Sequence, residues 1–349
     1  MRIDVVPERI EVKPVGRGPT SKDVARLAGV SQSTVSYVMS GKRSISAETL
    51  RQVEEAMTAL NYQPHAGARA LAGSRTHTIA IVMPFASAHT AGQLMAFVEE
   101  FVLAARRHDC DVLLVTAEEG IDGLRRVTGR ALCDAAVIMQ VASHDERAEA
   151  ARGMDFPVMF IGVPEDPRGL ACVDFDFEAA GVLLVEELAA LGSTRISVLG
   201  WSEGSVERDY NYIGRFSRTV HSSAEARGLV VDWHAAPAEG SFADALRDGL
   251  HPEGERTGVI MASGLPGGMR VLAAQGCIPG EDVDVVGLCT EVEAEEQAVP
   301  LTAVSTQPRD VSRKVADRLF ALIEQGRRPE EGVDLIPAEL THRASTRSA

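Results

Sequence analysis

Between Thr20 and Leu71, apolar positions recur at three- and four-residue steps in three short runs, separated by glycine or small polar residues. The first run predicts a helix capped by Thr20, with Asp23 three residues on and an apolar face of Val24, Ala25 and Leu27, stopped by Gly29. Ser31 then caps a second helix from Gln32 to about Ser40, which turns Val35 and Val38 inward and leaves Gln32, Ser33, Ser36 and Tyr37 facing out. After a Gly41-Lys42-Arg43 loop, Ser46 caps a third helix, whose Leu50, Val53, Met57 and Leu60 are expected to close a small core. Asn61-Tyr62-Gln63-Pro64 ends it. The following His65 to Ala72 is too short to hold a helix alone in water, and Gly67 weakens it further.

Beyond Ser74 the texture changes. Apolar runs short enough for buried parallel strands (TIAIVMPF, DVLLVTA, AAVIMQVA, PVMFIGVP, RISVLG, LVVDWHA, GVIMAS and DVVGL) alternate with amphipathic stretches of crossover length. Helices are expected at Glu178 to Leu191, around Tyr212 to Arg227, near Phe242 to Leu250 and over Gly267 to Gln275. This βαβ rhythm predicts two open parallel sheets with ligand-facing loops at the carboxyl ends of the strands.

Charge sharpens the division. The whole chain carries a formal −15, yet residues 1–75 hold 11 Lys and Arg against 7 Asp and Glu, a net of +4, which leaves −19 on the remainder. A cationic head on an anionic body concentrates attraction for a polyanion at the head. The five cysteines are scattered without metal-ligand spacing, so neither a zinc site nor a disulfide framework is expected, and no cofactor is implied. No apolar run is long enough for a membrane span and the opening segment lacks a signal-peptide core, so a cytoplasmic protein is expected. HExxH and GxxxxGK[ST] are both absent, which argues against an enzyme.

Two short helices joined by a tight glycine turn, with small polar residues opening the second, suit a recognition helix in a DNA major groove. The stretch DVARLAGVSQSTVSYVMSGKRSISAETLRQVEEAMTALNYQPHAGARALA resembles, without a gap, the N-terminal signature of the LacI/GalR family of bacterial transcriptional repressors. LVEELAALGSTRISVLG resembles the family's helix, turn and strand, and PLTAVSTQPRDVSRKVADRLFALIEQG its late helix.

The resemblance implies an α/β chain with an all-α head, in four parts. Residues 20–62 form a helix-turn-helix DNA-binding domain and 63–75 a hinge helix and linker; 76–349 form a two-lobed body like periplasmic binding proteins, with chain crossovers near Asp176, Cys289 and Thr306, while residues 1–19, mixed in charge and broken by Pro7, Pro14 and Pro19, are read from composition as a disordered leader or a misassigned start. It implies a homodimer on a pseudo-palindromic double-stranded operator, with Leu71 wedging into the minor groove. Gln32, Ser33 and Tyr37 lie where base edges are read, Thr34, Ser36 and Ser46 where phosphates are met, and Lys22 and Arg69 add contacts. A small-molecule effector, with a sugar or glycoside as one candidate, is expected between the lobes at Ser87, His89, Asp176, Arg208, Ser263 and Glu291. Ser263-Gly264 and Leu288-Cys289-Thr290 replace acidic sugar contacts common in the family, so a non-sugar ligand, or none, stays open. An exported solute-binding protein is the remaining alternative.

Overall fold

Capping side chains set the helices of the N-terminal part. Thr20 caps α1 (Ser21–Ala28) in a reciprocal box: the backbone N–H of Thr20 donates to Asp23 Oδ2 at 3.0 Å, and the Thr20 hydroxyl faces the Asp23 N–H. Gly29 closes the helix in the left-handed region at φ 67°, which glycine enters without steric cost. The Thr34 N–H donates to Ser31 Oγ at 3.1 Å at the start of α2 (Gln32–Ser40), and the Thr49 N–H donates to Ser46 Oγ at 3.1 Å at the start of α3 (Ala47–Ala59).

The computed structural model describes residues 19–40, 45–62, 75–85, 88–236, 257–325 and 330–347. The chain divides into two units, Met1–Thr76 and His77–Ala349. In the first, Val24, Ala25, Val35, Val53, Ala56 and Tyr62 form the buried core among the described residues. Two expectations need correction. Leu27 is 55% exposed and Leu50 39%, whereas Tyr62, read only as the end of a helix, is buried. A unit this small covers one edge of each apolar stripe, and Tyr62 joins the buried cluster.

In the second unit, a six-stranded sheet runs in the order β11-β5-β4-β3-β1-β2, formed by β1 (Thr78–Met83), β2 (Asp111–Thr116), β3 (Ala135–Met139), β4 (Val158–Ile161), β5 (Ala171–Phe175) and β11 (Gly332–Ile336), all parallel. A second follows the order β12-β10-β9-β8-β6-β7, from β6 (Arg195–Ser202), β7 (Val230–Ala236), β8 (Thr257–Met261), β9 (Asp284–Cys289), β10 (Thr302–Ser305) and β12 (Leu340–Thr341). Among the described strands of this sheet only β12 is antiparallel. Central strands such as β3, β8 and β9 are buried along their whole length, because helices cover both faces.

The apolar runs named above fall on β1–β4 and β6–β9, but ACVDF, TAVS and the last two strands were not foreseen. Asp174 interrupts the apolar signal of β5, and TAVS, grouped with the late helix by resemblance, is β10, parallel to β9; the helix itself starts at Pro308. The same pairing corrects the crossover near Cys289, since β9 and β10 stay in one sheet. The chain passes between sheets after β5, after β10, and again between Ile336 and Leu340. The expected helix near Phe242 to Leu250 lies outside the described residues.

One large core cluster spans both sheets, drawing on α4 (Ala88–Arg107), α7 (Phe177–Ala190), α9 (Asn211–Glu225) and α12 (Pro308–Gln325). Smaller clusters lie under α5 (Gly120–Gly129) and α6 (Glu146–Arg152) on the first sheet, and under α10 (Leu265–Ala274) and α11 (Glu291–Glu295) on the second. The short α8 (Glu203–Glu207) follows β6.

The C-terminal segment is built into the second lobe. Ser345 is fully buried; its hydroxyl accepts from the Thr302 N–H at 2.8 Å and donates to the Val285 carbonyl at 2.6 Å, and Arg347 pairs with the buried Asp284. Gly280, at φ 83°, lies so close that a Cβ on it would sit 2.1 Å from the Ala344 carbonyl oxygen. Gly280→Ala is therefore expected to lower the melting temperature by about 2–6 °C, because strained φ and displaced backbone add together. A thermal melt matching wild type would show that the tail is not held at this point.

Candidate functional site

The second helix of the head presents the candidate reading face. Gln32, Ser33, Ser36 and Tyr37 are exposed while Val35 beneath them is wholly buried, which fixes the orientation of the helix against its core. Gln32 Nε2 donates to Ser21 Oγ at 3.0 Å, so this side chain rests against α1. The hydroxyls of Ser33 and Thr34 each lie 2.8 Å from Ser31 Oγ, and that of Ser46 lies 2.8 Å from Thr49 Oγ1. Lys22 is exposed on α1. Lys42, Arg43, Arg69 and Leu71 lie outside the described residues.

In the body, a cavity of about 120 Å³ opens at the carboxyl ends of strands from both sheets, lined among others by Met139 at the end of β3, Gln140 after it, Ala262 after β8 and Leu288 in β9. Its walls are mainly apolar, and Phe177, Trp201 and Tyr212 form an aromatic corner with ring centroids 5.0 Å (Phe177–Tyr212) and 5.4 Å (Trp201–Tyr212) apart. Burial pushes the Tyr212 hydroxyl above its ordinary range, although the Gln140 carboxamide hydrogen-bonds it. Most polar groups of the wall are already engaged: Asp174 accepts from Arg215 Nη1 at 2.7 Å and from the Phe175 N–H at 2.9 Å, and Glu293 accepts from the Thr290 N–H at 2.8 Å.

Gln140 differs. Its backbone is left-handed at φ 54°, a conformation uncommon outside glycine, and Arg147 Nη2 holds its carbonyl at 2.9 Å. Its Oε1 is buried and has no hydrogen-bond partner among the described residues. Gln140 also borders a second cavity of about 310 Å³ that charged side chains line, Glu118 and Arg208 among them, together with His144. There Arg208 Nη1 donates to the Tyr210 hydroxyl at 3.3 Å; a hydrogen bond from Thr116, aided by the Arg208 charge, holds Glu118 below the usual carboxylate range. Burial works against the charge on Asp145 deeper in the wall, but its fork with Arg147 outweighs it and keeps that carboxyl low as well.

Two features join the lobes beside these cavities. Backbone bonds clasp the loop after β3 to the start of α9: Asn211 N–H donates to the Val141 carbonyl at 3.0 Å and Ser143 N–H to the Asp209 carbonyl at 2.8 Å. Arg215 of α9 reaches from the second lobe to Asp174 of β5, 2.7 Å away, and to Glu178, 2.6 Å away. Burial, opposed by Arg215, leaves the Asp174 carboxyl pushed up to about 6.

The residues expected to hold an effector are thus spread out. Arg208 lines the outer cavity. Asp176 caps α7, its Oδ1 accepting from the Ala179 N–H at 2.9 Å, and Glu291 pairs with Arg343; neither lines a cavity described above, nor does the half-buried Ser263. Ser87 lies outside the described residues, and His89 is placed only as part of α4. The nominated loops are largely those that form the cavities, but Gln140, Asp174, Trp201 and Tyr212 were not singled out within them. One signal was available for Asp174: a carboxylate inside a run of buried strand residues requires a partner charge.

Residues 20–65 match the family described as bacterial regulatory proteins, lacI family, and residues 185–346 match the periplasmic binding protein-like domain; together these cover more than half of the chain. The lactose operon repressor of Escherichia coli (strain K12) is 28% identical over 347 residues, covering 96% of this chain and 91% of that protein. The HTH-type transcriptional regulator AglR of Rhizobium meliloti (strain 1021) is 29% identical over 343 residues, covering 93% of each. In fold, the chain is similar to the lac repressor dimer bound to operator and the anti-inducer ONPF (TM-score 0.77, 24% identity, covering 95% of this chain and all of that one) and to a CelR–cellobiose complex (TM-score 0.61, 23% identity, covering 94% of this chain and 99% of that one). From its helix-turn-helix head to its two parallel sheets, the chain belongs to the LacI/GalR family of bacterial regulatory proteins.

Proposed function

We propose that the protein is a sequence-specific transcriptional repressor of the cytoplasm that binds a pseudo-palindromic operator as a homodimer and answers to a small molecule held between the lobes of its body. The observation that carries this reading is the outward face of α2, where Gln32, Ser33, Ser36 and Tyr37 stand exposed over a buried Val35 in a unit with net positive charge. Such side chains serve base-edge and phosphate contacts, with Thr34, Ser46 and Lys22 beside them. Leu71 and Arg69 act in the hinge that follows.

A self-association surface is available on the body, where Met95 and Leu103 stand exposed on α4 and Leu114 on the edge strand β2. Among the described residues no helix is long and apolar enough to cross a membrane. The five cysteines are buried, and burial pushes the Cys133, Cys172 and Cys289 thiols up to about 12, a range without thiolate chemistry at neutral pH. Catalysis forms no part of the proposal. A saccharide is one effector class, since a solved structure of this fold is a cellobiose complex. The apolar character of the inner cavity favours a second class, taken up below.

Selection of bound fragments from genomic DNA by the full-length protein is the direct test, and the expected result is enrichment of sites with twofold-related halves. Absence of any preferred site at moderate salt, with and without candidate metabolites, overturns the reading. Within it, Gln32→Ala is expected to change the preferred base at one position of each half-site, because Gln pairs bidentately with adenine at about 1–3 kcal/mol of discrimination. Selection from randomised sites checks this; an unaltered preference removes Gln32 from the readers.

A further inference from the structure

We infer that the effector enters the cleft ring first: the inner cavity takes one six-membered apolar ring, preferably aromatic, with a hydrogen-bond donor at its rim directed to Gln140 Oε1, while the polar remainder of the molecule lies in the outer cavity beside Arg208. This deepens the proposal that the cleft binds a small molecule, and it rests on that reading.

Size is the first argument. The inner cavity of about 120 Å³ is close to the roughly 150 Å³ that accommodates benzene in an engineered apolar cavity. Wall chemistry is the second. Phe177, Trp201 and Tyr212 offer faces and edges for stacking, and Asp174 and Glu293 are already committed to Arg215 and Thr290. A free hexose here would strand several hydroxyls against carbon, and each polar group left unpaired weakens binding. A buried carboxamide oxygen without a partner, on a residue held in a left-handed conformation by Arg147, asks for one donor from a ligand. Because Gln140 borders both cavities, that donor belongs at the junction of ring and polar part. Glu118, His144 and Arg208 then suit either sugar hydroxyls or an anionic group on the same ring. The chemistry shared by both is an aryl ring bearing a polar extension.

The test uses full-length protein and a matched panel: phenyl and methyl β-glycosides of glucose, galactose and xylose, together with 3-hydroxybenzoate, which has its hydroxyl on the ring flank rather than opposite the carboxylate. The chain has two tryptophans, of which Trp201 lines the cavity. Titration is therefore followed by tryptophan emission in wild type, Trp233→Phe and Trp201→Phe, with calorimetry in parallel. At least one phenyl glycoside, or 3-hydroxybenzoate, is expected to bind tenfold or more tightly than every methyl glycoside, with an emission change that survives in Trp233→Phe and vanishes in Trp201→Phe. Gln140→Met and Gln140→Asn, checked for an unaltered thermal melt, should weaken that ligand about tenfold; Tyr212→Phe, which leaves the acceptor in place, should do so less. Phenyl binding separates the glycoside source from the aryl acid. Methyl glycosides binding as well as phenyl ones, full affinity in both Gln140 variants, or no binding across the panel each overturns the inference. A free saccharide that binds by calorimetry and releases operator DNA would sink it while leaving the effector-controlled repressor intact.

Discussion

Arg215→Met is expected to destabilise the body by about 3–5 kcal/mol, since it leaves Asp174 buried without its counter-charge while keeping most of the aliphatic volume. In a unit of this size that is a fall of roughly 6–10 °C in melting temperature. The guanidinium and the Asp174 carboxylate are each 8% exposed, so solvent cannot take over the lost interaction, whereas Glu178 at 43% exposed turns to water and adds little. Differential scanning calorimetry of the full chain reads the effect. Asp174→Asn in the same background should restore part of the loss, because it removes the unpaired charge; an Arg215→Met protein melting within 1–2 °C of wild type would show that the pair contributes nothing net.

The pH dependence separates charge from packing. Asp174 has a folded-state carboxyl pushed up to about 6 by burial, above its value in an unfolded chain, so its share of stability is fully present at acid pH and is lost as pH rises through about 6. Glu178 has the opposite sign. Burial disfavours its charge, but the Arg215 fork holds it below the usual range, and its contribution appears as pH rises above the ordinary carboxylate value. Removing Arg215 raises both carboxyls, so the variant binds more protons than wild type at mildly acid pH. The deficit of Arg215→Met should accordingly be larger at pH 8 than at pH 5. A deficit independent of pH would point to lost packing alone.

These residues also mark where the sequence stopped being informative. Caps are local events, and Thr20, Ser31 and Ser46 were legible because each bonds a backbone N–H three residues on. Buried strands were legible as apolar runs, and the resemblance supplied the two-sheet body. The Asp174–Arg215 pair bridges 41 positions between lobes, and no local pattern reports such a partner. The same polar interruption hid β5 altogether. In the cleft, strand ends nominated the right loops, yet the side chains within them depend on where each backbone turns. Gln140 points into the cavity from a left-handed residue, whereas Asp176, one step past the end of β5, is consumed in capping α7. The tail was illegible for a similar reason: Ser345 is buried only because Thr302 and Val285 lie beside it, more than 40 positions away.

Val35→Asp tests the head in the same spirit, and its effect on DNA binding is expected to be the largest of any single change there. Val35 is wholly buried in a unit whose core counts six of the described residues, and so small a core supplies only about 3–5 kcal/mol. An unpaired carboxylate at that position costs several kcal/mol even after its titration is shifted, so the helices of the head should unfold while the separate core of the body persists. Specific operator affinity should then fall at least about a hundredfold, because ordered base contacts account for three or more orders of magnitude over non-specific binding. Mobility-shift titration reads the affinity, and protease digestion should trim the head while leaving the body. Leu27→Asp is the control that distinguishes structure from periodicity. The sequence pattern places Leu27 on the buried stripe, but it is 55% exposed, so this variant should resist protease like wild type and lose less than about tenfold in affinity from its added negative charge. Equal damage from the two substitutions would mean that Leu27 is covered in the folded head and that the core has been drawn one residue too small.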